Sequence, residues 1–179
     1  MIRPPLTVRR AGLEEADLIA DLGARTFSAA FAVQNRPEDM AAYLAESFSP
    51  ETVRRQLANP DWLFLIGLDG ENVIGYAALR KGEVPACVRG PAPVEIVRIY
   101  VEPGCIGGGY GSTMMQACLK EASDEGHATV WLGVWEHNAR AIEFYTRWGF
   151  EAVGSHTFVL GSDPQNDIIM QRDVVGKAP

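Results

Sequence analysis

A run of β-branched and aromatic residues from Val94 to Val101 stops at Pro103-Gly104, crosses Cys105-Ile106-Gly107-Gly108-Gly109-Tyr110-Gly111 and enters a helix-forming stretch. Strand, glycine loop and helix in direct succession constrain this chain more than any other feature. A helix N-terminus presents unpaired N–H groups and the positive end of the helix dipole, and glycines let that backbone approach a pyrophosphate with no Cβ atoms in the way. The segment therefore reads as a cradle for a phosphorylated cofactor. The alternative is a flexible strand-to-helix turn. It is not a Walker loop, because the sixth residue counted from Gly104 is Gly109 and Tyr110 follows where lysine is required. Nor is it a GxGxxG fingerprint, since Gly107 and Gly109 would put the third glycine at Ser112.

The flanking periodicities predict an edge strand at Leu6 to Arg10 and a helix over Leu13 to Phe31. A second helix starts at Pro37 and runs toward Phe48. A third is capped by Ser49 with Pro50 in its first turn, and Asn59-Pro60 ends it. Trp62 to Leu68 and Val73 to Leu79 form a hairpin around Asp69-Gly70-Glu71-Asn72, and Lys81 to Pro93 is a Gly- and Pro-rich loop. Beyond the glycine cluster come a helix from about Gly111 to Glu125, a strand at Thr129 to Val134 and a helix from Ala139 to Trp148 between Asn138 and Gly149. Two further strands, Phe150 to Leu160 and Ile168 to Met170, close the chain. The order predicts a mixed α/β or α+β sheet covered on both faces. We expect a single domain over residues 1–175 and a frayed tail at 176–179.

At 47% hydrophobic residues the chain can bury a continuous core, and it has no apolar run long enough to span a membrane. The first residues, Met1-Ile2-Arg3-Pro4-Pro5, lack the apolar centre of a signal peptide. Cys87, Cys105 and Cys118 are odd in number and lack metal-ligand spacing, which disfavours disulfides and structural zinc and suits a reducing cytoplasm. A net charge of −7 without a basic cluster disfavours nucleic acid, and an acidic surface attracts cationic substrates.

A second motif lies downstream. Asn138, Ala141 and Tyr145 fall at spacings of three and four, hence on one face of a helix that ends in Gly149-Phe150. Taken alone this is compatible with plain core packing. Together, the loop Ile106 to Gly111, which matches [QR]-x-x-G-x-[GA] except at its first position, and N-x-x-A-x-x-x-Y-x-x-x-G-F over Asn138 to Phe150 resemble the GNAT superfamily of N-acetyltransferases. Ile106 stands where that family usually has Gln or Arg, so a side-chain contact to the pyrophosphate is lost while backbone N–H groups from Gly107 to Ser112 remain. Finer similarities, in Pro37 to Leu44 with Phe48, Val94 to Val101, Trp131 to Glu136, Ser155 to Phe158 and Asp167 to Met170, are closest to the polyamine N-acetyltransferases of the PaiA type.

The resemblance implies a mostly antiparallel twisted sheet with one splayed parallel pair, acetyl-CoA as cofactor and a small-molecule amine, including a polyamine, as acceptor, acetylated by direct attack in a ternary complex. Peptide, protein N-terminal or amino-acid acetylation, and a silent acyl-CoA-binding regulator, are the alternatives. The implied cofactor contacts are Ile99 and Val101 at the strand end, Ile106, Gly107, Gly108, Gly109, Gly111 and Ser112 in the loop, and Asn138 and Tyr145 beyond it. The N–H of Ile99 is a candidate for oxyanion stabilisation. Tyr145 is the candidate general acid, because a phenol near the sulfur can protonate the departing thiolate; packing is its alternative role. Glu95, eleven residues before Ile106, is the candidate base, with pairing to Arg98 or Arg140 as the alternative. Glu136, His137 and His156 are lesser candidates for base or amine recognition. Trp135, Tyr43, Phe31 and Phe48 with Glu46 and Glu136 are candidates for an aromatic, acidic acceptor pocket. No metal is implied. A homodimer is compatible with the family, though no segment demonstrates one.

Overall fold

The computed structural model describes residues 6–175, so the expected tail at 176–179 lies outside the described residues. In chain order the elements are β1 (Thr7–Arg10), α1 (Ala16–Phe31), α2 (Pro37–Ser47), α3 (Pro50–Ala58), β2 (Trp62–Asp69), β3 (Asn72–Arg80), β4 (Pro93–Val101), α4 (Tyr110–Asp124), β5 (Thr129–Trp135), α5 (Ala139–Arg147), β6 (Glu151–Leu160) and β7 (Asp163–Asp173). The strands form one seven-stranded sheet in the order β1-β2-β3-β4-β5-β7-β6, antiparallel except for the parallel pair β4 and β5. Ser49 caps α3 by accepting the Thr52 N–H at 3.1 Å, and the Asn138 side chain accepts the Ala141 N–H at 3.1 Å to start α5. The last strand is much longer than the Ile168 to Met170 core read from hydrophobicity. Its outer residues are polar, and their pairing with β6 extends the ladder to Asp163.

Each face of the sheet carries a core. On one, α4 lays Met114, Met115, Cys118 and Ala122 against Leu65, Ala77, Ile96, Val130, Leu132 and Met170. On the other, α1 to α3 bury Ile19, Leu22, Phe27, Met40, Phe48 and Val53 against Phe64, Ile66, Tyr76 and Ala78.

Strand β4 changes face partway along. Leu79 pairs with Ile96 and Ala78 with Arg98, leaving Val97 without a partner on β3. This β-bulge reverses the alternation: Val94 and Ile96 join the α4 core, whereas Tyr100, two residues past Arg98, packs on the α1 side. The parallel ladder between β4 and β5 spans only Pro93 with Thr129, Val94 with Val130 and Glu95 with Trp131, and it ends just before the bulge. Beyond that point the two strands part, and the gap opens into a cleft.

Candidate active site

A cleft of about 1000 Å³ runs through this gap. It joins the glycine loop, the ends of β4 and β5, α5, and an aromatic wall built from α1, α2 and β6. Ile99 and Val101 of β4 line it, as do Ile106, Gly107, Gly109, Gly111, Ser112, Asn138 and Tyr145. Of the loop positions named from sequence, Gly108 differs. Its N–H bonds the Cys105 carbonyl at 3.3 Å, and a Cβ there would lie 2.9 Å from the Tyr110 ring, so it shapes the loop from within.

The rest of the loop has the character of a cradle. The N–H groups of Gly107, Gly109, Gly111 and Ser112 donate to no acceptor among the described residues. Gly107 and Gly109 have φ of 90° and 83°, left-handed values that turn the chain into α4 at little cost only for glycine. A Cβ on either would meet no protein atom, so the space beside them faces outward. Four unpaired donors on an open, glycine-lined surface at a helix N-terminus fit a pyrophosphate. Ile106 is 45% exposed, so the slot that lacks Gln or Arg lies at the surface of the loop.

Tyr145 sits on α5 between Phe144 and Phe150, with ring centroids at 5.5 and 5.8 Å. The helix stops behind it: Gly149 adopts φ of 80°, and the Phe150 N–H bonds the Tyr145 carbonyl at 3.0 Å. Burial pushes the phenol well above the ordinary tyrosine range, with nearby Cys118 adding to the shift, so the hydroxyl is protonated at neutral pH. It forms no hydrogen bond among the described residues.

Glu95 lines the cleft and is nearly covered, at 12% side-chain exposure. Its partner is Arg80, directly opposite on β3, whose Nε donates to Oε2 at 3.0 Å. Burial raises the carboxyl, and Arg80 opposes that shift. The partners considered from sequence, Arg98 and Arg140, do not bond it. Arg98 is turned to the α1 side by the bulge, lies over the Phe48 ring at 4.5 Å and donates to the Ser47 carbonyl at 3.3 Å.

The predicted aromatic group does assemble. Phe27 is its hub, 4.6 Å from Phe31, 4.8 Å from Tyr43 and 5.5 Å from Phe48, while Phe31 touches Trp135 edge-on at 6.2 Å and Tyr43 meets Phe158 at 5.4 Å. The acids beside it are not the expected ones. Glu46 is exposed on α2, and Glu136 accepts from Asn166 at 3.2 Å without lining the cleft. The carboxylates that line the cleft are Glu95 and Asp167. Asp167 stands opposite His156 in the β6 and β7 ladder, with Nε2 and Oδ2 3.8 Å apart. Sequence reading missed that pairing because the polar first half of β7 shows no apolar alternation. A hairpin centred on Gly161-Ser162 sets His156 against Asp167 by symmetry, and this was the available signal.

Among the described residues no cluster of His, Cys, Asp or Glu could hold a metal ion, and no helix is long and apolar enough to cross a membrane.

Residues 29–150, which contain the loop, the splayed strands and α5, match the model of the acetyltransferase (GNAT) family. The chain belongs to the GNAT family. An uncharacterized N-acetyltransferase of Mycobacterium tuberculosis is 33% identical over 163 residues, covering 91% of this chain and all of that protein. An uncharacterized N-acetyltransferase of Lactobacillus delbrueckii subsp. lactis is 32% identical, over 84% of this chain and 87% of the relative. The PaiA N-acetyltransferase of Thermoplasma acidophilum, solved in complex with coenzyme A, shares the fold with a TM-score of 0.77 at 21% identity, covering 95% of this chain and 99% of that one. The ribosomal-protein-S18-alanine N-acetyltransferase of Escherichia coli shares it at 0.69 and 17% identity, with 97% of each chain covered. This GNAT chain is thus an acetyl-CoA-dependent N-acetyltransferase, with the sheet and parallel pair that the resemblance implied.

Proposed function

We propose that this enzyme acetylates the primary amine of a small cationic molecule, a polyamine-like alkylamine, by direct attack in a ternary complex, as in the PaiA-type branch. The observation that carries this reading is the make-up of one continuous cleft. The glycine loop and Tyr145 line it together with the carboxylates Glu95 and Asp167 and the rings of Phe27, Phe31, Tyr43, Phe48, Trp135 and Phe158. Aromatic faces and carboxylates suit an aliphatic chain ending in ammonium groups, through cation–π and charge contacts. A net charge of −7 draws such cations in.

Each residue then has a physical task. Acetyl-CoA supplies an acetyl thioester. The N–H groups of Gly107, Gly109, Gly111 and Ser112 hold its pyrophosphate, and the parted edges of β4 and β5 hold its pantetheine arm. The Ile99 and Val101 backbone pairs with that arm, and the Ile99 N–H stabilises the negative charge that builds on the acetyl oxygen. Asn138 fixes the start of α5 and so the position of Tyr145. The Tyr145 hydroxyl donates its proton to the departing sulfur as the C–N bond forms and the C–S bond breaks. Glu95, held against Arg80, places negative charge where the acceptor ammonium enters.

An acceptor panel tests the substrate class. Thiol release with spermidine, other alkylamines, amino acids and short peptides should be fastest with the alkylamines. Turnover restricted to peptide or amino-acid amines would reject the alkylamine reading and leave the N-terminal or amino-acid reading in its place.

A further inference from the structure

The amine must lose a proton before it can attack, and Glu95 is already engaged in an ion pair with Arg80, which donates to its Oε2 through Nε and Nη2. A second pair of groups faces the acceptor half of the same cleft. On β5, Gly133 lies two residues beyond the last rung of the parallel ladder, where the strands have parted. A Cβ built on Gly133 would lie 3.1 Å from His156 Nε2 and 3.3 Å from Asp167 Oδ2. His156 Nε2 and Asp167 Oδ2 thus both close on the bare Gly133 backbone, where a side chain would collide with them. An isolated glycine within an apolar strand marks a close approach of another group.

We infer that His156, backed by Asp167 where both line the cleft against Gly133, takes the proton from the acceptor ammonium. Asp167 receives the ammonium charge, and the neutral imidazole accepts one proton through Nε2, leaving the nitrogen lone pair free. The imidazolium is then balanced by Asp167 at 3.8 Å and returns its proton to solvent through a side chain that is 41% exposed. When the C–N bond forms, the nitrogen sheds a second proton. That proton restores the Tyr145 phenol after it has protonated the sulfur, so each turnover releases one proton. The charged neighbours of the imidazole are Asp167 on β7, Glu136 beside Asp167, and Glu95 on β4 with Arg80 and Arg98 near it. Among those carboxylates, only Asp167 joins it against Gly133.

The inference rests on the amine-acetyltransferase reading, and its test separates the two. In kcat/KM against pH with whichever amine is turned over, the wild type should show an acidic limb. His156→Gln should lose that limb and fall about a hundredfold in kcat while binding coenzyme A unchanged. Asp167→Asn should lower kcat/KM for the cationic amine while leaving coenzyme A binding unchanged. Gly133→Ala should lower kcat by pushing His156 and Asp167 off the strand. A limb that persists in His156→Gln with kcat within about threefold, against the usual hundredfold for a proton-transfer group, overturns the inference, as does its loss in Glu95→Gln. Failure of the amine reading would show instead as no thiol release with any amine. The His156 imidazole resonance, assigned among three histidines by its loss in His156→Gln, then decides. A His156 chemical shift identical in wild type and Asp167→Asn overturns the pairing, and a displaced one upholds it.

Discussion

At the scale of single residues, the cleft holds groups whose surroundings work against their ordinary ionisation. Tyr145 is kept protonated by burial, which suits a donor that must still hold its proton when the sulfur leaves. A desolvated thiolate is correspondingly eager for that proton. Glu95 is the opposite case, a carboxylate whose burial costs more than Arg80 returns. Its folded pKa lies above the unfolded value of about 4.3, so the folded state binds the proton more tightly. Its contribution to stability is therefore best at low pH and worsens as pH rises through the folded pKa, leaving the penalty fully present at neutrality. Glu95→Gln should melt at the same temperature or higher at pH 7, with the difference vanishing below about pH 4, and it should lower kcat/KM for cationic amines. Melting curves across pH check the first part. A clear loss of stability at pH 7 would mean that the ion pair with Arg80 is structural. Tyr145 and Glu95 were both legible as candidates through the GNAT resemblance, which their spacing to Asn138 and to Ile106 carries. Arg80 was not, since its pairing with Glu95 follows from the β3 and β4 register.

At the scale of elements, the loop and the bulge divide the work. The loop was legible because glycine, proline and helix-start chemistry are local. The bulge at Val97 was not, since a run such as Val94 to Val101 reads as one uninterrupted strand and only its partner shows which residue is left over. That leftover residue turns Arg98 and Tyr100 toward the α1 side, and it follows the last rung between β4 and β5. Two substitutions in the loop should separate backbone strain from cofactor contact. Gly109→Ala places a Cβ in open space but at φ of 83°, and should cost about 1 to 2 kcal/mol of stability. Gly111→Ala lies inside α4 with only Phe144 at 3.7 Å, so the fold should hold or gain up to about 1 kcal/mol while coenzyme A binds more weakly. Denaturant unfolding beside calorimetric titration with coenzyme A reads both. Equal coenzyme A affinity in Gly111→Ala and wild type would remove that backbone from the cradle.

At the scale of the whole molecule, one sheet carries a core on each face and opens between β4 and β5, so the glycine loop and the aromatic wall meet in a single cleft. The element order, and with it the family, could be read from the chain because each helix and strand carries its own caps and periodicity. The place of Asp167 in the cleft could not, because it reaches the cleft only through long-range pairing with β5 and β6. The charge of −7 acts at this scale too. For a polyamine, kcat/KM should fall about tenfold from low to high salt while kcat at saturation holds, because salt screens encounter rather than chemistry. A salt-independent kcat/KM would remove steering from the account. The central claim is that this cleft transfers acetyl from acetyl-CoA to an amine with Tyr145 as the proton donor. It is tested most directly by thiol release with an alkylamine in wild type and Tyr145→Phe, with coenzyme A affinity measured on both. The account predicts a fall in kcat of about a hundredfold or more with the affinity retained; a fall below about tenfold, against that same expectation, would contradict it.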